Sequence, residues 1–117
     1  MVAAHPMSVS TEYKAFLEEL FAGFGPVTIR HMFGGGGVYH DGIMFALIAD
    51  DTLYLKADET TRADFEAEGM GPFVYSGKGK PVAMSYWELP EELYDDPDVF
   101  AEWARKAFDV ALRAKRK

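Results

Sequence analysis

Between residues 27 and 57, short apolar runs are separated by turn signals too brief to hold a crossover helix, which excludes a parallel sheet over this stretch. Val27, Ile29, His31 and Phe33 alternate with Thr28, Arg30 and Met32, the period of a half-buried strand. The run Gly34 to Gly37 then breaks the pattern and reads as a tight turn or bulge. Val38-Tyr39-His40 and Ile43 to Ala49 flank Asp41-Gly42, a pair suited to the positive φ values of a type I′ hairpin turn. Asp50-Asp51 forms the next turn, and Thr52 to Ala57 sets Leu53 and Leu55 against Tyr54 and Lys56. Ile43 to Ala49 is apolar on both faces, so it belongs at the centre of an antiparallel meander.

Helical patterns bracket this meander. From Ser10 to Gly23, the residues Tyr13, Phe16, Leu17, Leu20, Phe21 and then Phe24 recur at helical spacing, with Ser10 or Thr11 as cap and Gly23 or Gly25 before Pro26 as stop. Asp58 is an N-cap candidate for a short helix over 58–68, ended by Gly69. Two further strands, Pro72 to Ser76 and Pro81 to Leu89, are joined by Gly77-Lys78-Gly79-Lys80. Asp96-Pro97-Asp98 then opens a final helix over 97–113, with its cap, a proline in the first turn and an acid at the positive dipole end. Its inward stripe is Val99, Phe100, Trp103, Ala107, Phe108, Ala111 and Leu112. The predicted fold is α+β, a two-layer sandwich with helices mainly on one face of an antiparallel sheet, in the order α, three or four strands, α, two strands, α. Phe16, Leu20, Phe45, Leu47, Leu53, Trp103 and Phe108 are expected in its core.

The chain has 117 residues, which fits one domain; residues 10–113 are assigned to it, with a loose leader at 1–9 and a basic tail at 114–117. With no cysteine it needs neither a disulfide scaffold nor an oxidising compartment, and no apolar run approaches the ~18 residues of a membrane span. No secretory signal is evident at the start, so the expected location is the cytoplasm. Charge is unevenly spread. Residues 1–104 carry a net −12 and residues 105–117 a net +5. An acidic body repels phosphate backbones, so no specific DNA binding is expected of this domain alone. Arg113, Lys115, Arg116 and Lys117 read as complements to a helix C-terminus with a solvated end.

The chemistry-bearing residue types do not converge in sequence. The Gly34 to Gly37 run leads into a strand, not into the helix N-terminus that makes glycine loops bind phosphate. Gly77 to Lys80 reads as a hairpin turn with solvated lysines. His5, His31 and His40 are too scattered for a metal site, and Asp41 beside His40 is needed by its turn. The seven acids from Glu88 to Glu102 lack calcium-loop spacing and read as solvated surface. No nucleophile, metal or cofactor constellation is found, so neither an enzyme nor a cofactor is expected. In the last strand, Met84, Tyr86 and Glu88 point one way and Ala83, Ser85 and Trp87 the other, so either Tyr86 or Trp87 faces away from the helices. A candidate partner surface therefore comprises Tyr86, Trp87 and Met84, with Lys80 and Arg30 as polar rim.

Arg30-His31-Met32-Phe33-Gly34-Gly35, Gly37-Val38-Tyr39, Asp41-Gly42, Phe45-Ala46, Leu53-Tyr54-Leu55-Lys56, Pro72-Phe73, Tyr75 and Met84-Ser85-Tyr86 with Pro90 together resemble the N-terminal domain of the TfoX/Sxy competence-regulator family, from about Tyr13 to Ala107. The resemblance implies the α+β order just read. It also implies a coactivator of DNA-uptake genes that works with the cyclic-AMP receptor protein, hence a protein partner such as a transcription factor or polymerase. Two-domain members continue into a helical C-terminal domain, whereas this sequence stops at Lys117. Two functions stay open at this point: a non-enzymatic regulatory module that binds a protein partner or forms a homodimer, and a small-molecule-binding or enzymatic domain with a cleft near Arg30, His31 and the glycine turn.

Overall fold

A computed structural model describes residues 10–32, 35–75 and 82–115. The elements run α1 (Thr11–Leu20), a 3₁₀ turn (Phe21–Gly23), β1 (Thr28–Met32), β2 (Gly35–His40), β3 (Ile43–Ala49), β4 (Thr52–Lys56), α2 (Arg62–Ala67), β5 (Pro72–Tyr75), β6 (Val82–Glu88), a 3₁₀ turn (Glu91–Asp95) and α3 (Pro97–Lys115). All neighbouring strands are antiparallel, in the spatial order β1-β2-β3-β4-β6-β5. The α+β class read from the sequence is the observed one. The leader at 1–9, the loop Gly77 to Lys80 and the last two residues of the tail lie outside the described residues.

The local chemistry explains the element boundaries. Tyr13 donates its N–H to Ser10 Oγ at 3.0 Å, which caps α1. Asp41 and Gly42 both have positive φ, as the β2–β3 turn requires, and Asp50 and Asp51 adopt the same left-handed pair between β3 and β4. Asp96 caps α3 by accepting from Val99, with Pro97 in the first helical position. Gly69 (φ 77°) ends α2, as its N–H reaches the Glu66 carbonyl and that of Met70 reaches Phe65, the double bond of a Schellman stop.

Several expectations need correction. The second helix begins at Arg62, not Asp58, because the Asp58 carboxylate accepts from the Thr60 N–H and hydroxyl and first closes a separate turn. Gly35 to Gly37 do not break the sheet: they are strand residues of β2, paired with Met32, His31 and Arg30. Glycine is needed at position 35 because a Cβ there would strike the Ile48 carbonyl oxygen on β3.

One core lies between the sheet and the helices. Leu17, Leu20, Phe21 and Phe24 meet Val38, Phe45, Ile48, Leu53 and Leu55, and Phe100, Ala104, Ala107, Phe108 and Ala111 of α3 close it. Phe45 sits where the β2–β3 register shifts, and its ring packs edge-on to Phe21 and Phe108. Three expected core residues lie elsewhere. Phe16 is 40% exposed and stacks on Tyr94. Trp103 is half-buried, edge-on to Phe65, because the six-residue α2 covers it only in part. Leu47 is half-buried because it pairs with Tyr54 and shares that residue's face, away from the helices.

Candidate protein interface

The register separates the two faces of the sheet. Trp87 pairs with buried Leu55 and packs against Phe65, so it lies on the helix-covered face and leaves the expected partner surface. Tyr86 pairs with Lys56 and points the opposite way. Met84 has the same strand parity as Tyr86 and is exposed. Arg30 is exposed and pairs with Gly37, again on the open face, whereas Lys80 lies outside the described residues.

What sequence reading missed is the aromatic content of that face. The Arg30 guanidinium stands 5.2 Å from the Tyr39 ring centre, and the Lys56 ammonium stands 5.0 Å from that of Tyr86. Lys56 also donates to Ser85 Oγ at 2.8 Å, so its position is fixed twice. Tyr54 packs edge-on to Phe73, with ring centres 5.1 Å apart. Gly37 leaves the room into which Met44 and Tyr39 lean. Tyr39, Tyr54, Phe73, Tyr86, Met44 and Leu47 are all half-buried, so each keeps apolar surface in contact with solvent. Burial first, then the neighbouring Tyr39, raises the Tyr86 hydroxyl above its ordinary pKa and keeps it neutral. The available signal was the alternation of Tyr54 and Lys56 with Leu53 and Leu55.

Among the described residues Arg30 and His31 do not share a face, and Gly34 of the glycine turn lies outside those residues. Arg30 lies on the open face, and exposed His31, its neighbour along the strand, has the opposite parity. His40 is a packing residue. Its ring lies edge-on to Phe24 and Phe108, its Nδ1 is 2.7 Å from the Pro26 carbonyl, and Asp41 stands 3.7 Å away. A cleft of about 660 Å³ is lined by Lys56, Asp58, Arg62, Ser85, Trp87 and Arg113 among others. Arg113, an exposed cation in the last turn of α3 as the sequence reading expects, bridges part of it by donating to Asp58 at 3.0 Å. Among the described residues no group of three or more His, Asp or Glu could hold a metal ion, and no helix is long and apolar enough to cross a membrane.

A small antiparallel sheet with helices over one face and an aromatic, cation-bearing second face defines a two-layer α+β domain. Residues 19–111 match the family model of the TfoX N-terminal domain, and the chain belongs to that family. It is 26% identical over 109 residues to Protein Sxy of Escherichia coli (strain K12), a match that covers 93% of this chain and 51% of that protein. It is also 33% identical over 79 residues to DNA transformation protein TfoX1 of Aliivibrio fischeri (strain ATCC 700601 / ES114), covering 64% of this chain and 38% of that one. The chain thus spans about half the length, or less, of these curated relatives. The family is one of competence-related regulators.

Proposed function

We propose that this chain is a non-enzymatic, cytoplasmic regulatory module that docks a protein partner through the open face of its sheet. The observation that carries the reading is the solvent-facing aromatic patch around Tyr39 and Tyr86, whose rings hold Arg30 and Lys56 in place. Aromatic, Met and Arg side chains in a half-exposed patch have the composition of interface centres. The partner expected from the family is a transcription factor or RNA polymerase, and a second copy of the chain is the other occupant to be tested. Direct, specific DNA recognition is not expected of the domain, because residues 1–104 carry a net −12.

The experiment is to compare wild-type protein with Tyr86→Ala and Tyr39→Ala. Sedimentation is measured for the protein alone and in mixtures with purified cyclic-AMP receptor protein and RNA polymerase. Loss of one of these associations in a folded variant supports the open face. Unchanged association in folded variants moves the site elsewhere, and no association of the wild-type protein with itself or either partner overturns the proposal.

A further inference from the structure

A second surface, beside Thr52 at the start of β4 and Glu88 at the end of β6, has the opposite electrical character. Tyr13 of α1, Phe16 one helical turn further on and Tyr94 of the turn before α3 form an aromatic row: Tyr13 and Phe16 have ring centres 6.2 Å apart, and Phe16 stacks on Tyr94 at 5.8 Å. These three rings line a groove of about 530 Å³, within the size range of sites that enclose a small ligand or a few side chains. Asp51, Glu88 and Glu91 also line it, and no lining residue is basic. Among the described residues none of the three carboxylates has a salt-bridge partner.

The electrostatic surroundings agree with the inventory. Burial chiefly, with Tyr94 and then Asp51, raises the Tyr13 hydroxyl far above the usual phenol range. Nearby Tyr54 is raised by burial and then by Glu88 and Asp50. The groove is therefore a field of negative charge over aromatic faces. Such a combination attracts organic cations through ring quadrupoles and carboxylates together.

We infer that this groove binds a basic segment of a partner protein, seating an arginine or lysine side chain over the Phe16 and Tyr94 rings with Asp51, Glu88 and Glu91 around its charge. The rings take the aliphatic stem and the cation's face, and the carboxylates take its N–H donors. A peptide fits better than a free polyamine because Phe16 is 40% exposed, and the apolar residues beside a basic one supply the surface that covers it. Met70 and Leu89 extend the same apolar lining. Glu88 pairs with Tyr54 and so borders both the groove and the open face, whereas Phe16, Tyr94 and Glu91 line the groove alone, so the Phe16 and Glu91 variants test this inference apart from the open-face proposal.

The test uses the full chain and a short acetylated peptide alternating leucine with arginine, titrated by fluorescence anisotropy at low and physiological salt. Binding that weakens with salt is expected. Phe16→Ala and Glu91→Gln should each lower the affinity by about threefold or more, while Asp109→Asn, which removes the same charge at the far end of α3, should leave it within about twofold. Glu91 is an exposed side chain, so its substitution keeps the comparison valid should the Phe16 variant lose structure. Three results would overturn the inference: no peptide binding, equal loss in the Asp109 variant, or competition by spermidine as effective as by unlabelled peptide.

Discussion

The Tyr94 hydroxyl accepts the backbone N–H of Leu53 at 3.1 Å, tying the turn before α3 to the start of β4. The same oxygen lies 3.2 Å from the Tyr13 hydroxyl, so one phenol joins α1, the sheet and the last connection. Tyr94→Phe keeps the ring but leaves the Leu53 N–H without its partner. The expected loss is about 1 to 2 kcal/mol of stability, read from the urea midpoint. Tyr13→Phe should cost less, because it removes no backbone partner, and a double-mutant cycle would resolve their coupling.

Asp58 gives acid sensitivity a specific address. Hydrogen bonds from the Thr60 hydroxyl first, then the Arg113 guanidinium, hold its carboxyl down at about 2, below the ordinary 3.8. A depressed folded pKa stabilises the fold above the unfolded value, and that contribution disappears as pH falls from about 4 through about 2. Asp58→Asn should therefore cost up to about 1 kcal/mol at neutral pH, reduced by solvent screening, and flatten the stability profile over that acid interval. Chemical denaturation of both proteins at pH 7, 4 and 2 checks the sign.

Asp51 has φ 55° in a two-residue turn whose other member, Asp50, is at 56°. Glycine reaches this conformation without the Cβ penalty, so Asp51→Gly should raise stability by about 0.5 to 1 kcal/mol. The same change removes a carboxylate from the acidic groove. Thermal midpoint should rise while affinity for the leucine–arginine peptide falls, and a fall in both would contradict the strain assignment.

Phe45 and Trp103 look equivalent in sequence as large apolar residues on inward stripes, but only Phe45 is enclosed. Phe45→Ala should cost about 3 to 5 kcal/mol, and Trp103→Ala about 2, since part of the indole surface is already solvated. Parallel denaturant titrations give the ratio.

The contrast shows what the sequence makes legible. Strand alternation, the Asp41-Gly42 turn, the Asp96 cap and the Gly69 stop are local effects, so a few adjacent residues reveal them. Phe16 looked like core because helical spacing reports which residues share a stripe, but not how far the sheet beneath extends. Leu47 looked like core because β3 is apolar on both faces, and only register with Tyr54 shows which face the helices cover. Gly35 looked like a turn because its reason lies across the sheet, at the Ile48 carbonyl. Tyr86 and Trp87 were legible as an opposed pair, and pairing with Lys56 and Leu55 resolved which was which. The aromatic row in the groove joins Tyr13 to Tyr94 across 81 positions, and no local pattern announces that meeting.

The closing role of α3 has a consequence for biosynthesis. The strands and first helix are synthesised before Phe100, Ala104, Ala107, Phe108 and Ala111, yet these residues seal the core against Phe21 and Phe45. The nascent meander can pair its hairpins early, because their contacts are close in sequence. Its apolar face nevertheless stays wet until α3 has cleared the ribosome and can pack, a window in which a holdase chaperone would find its target.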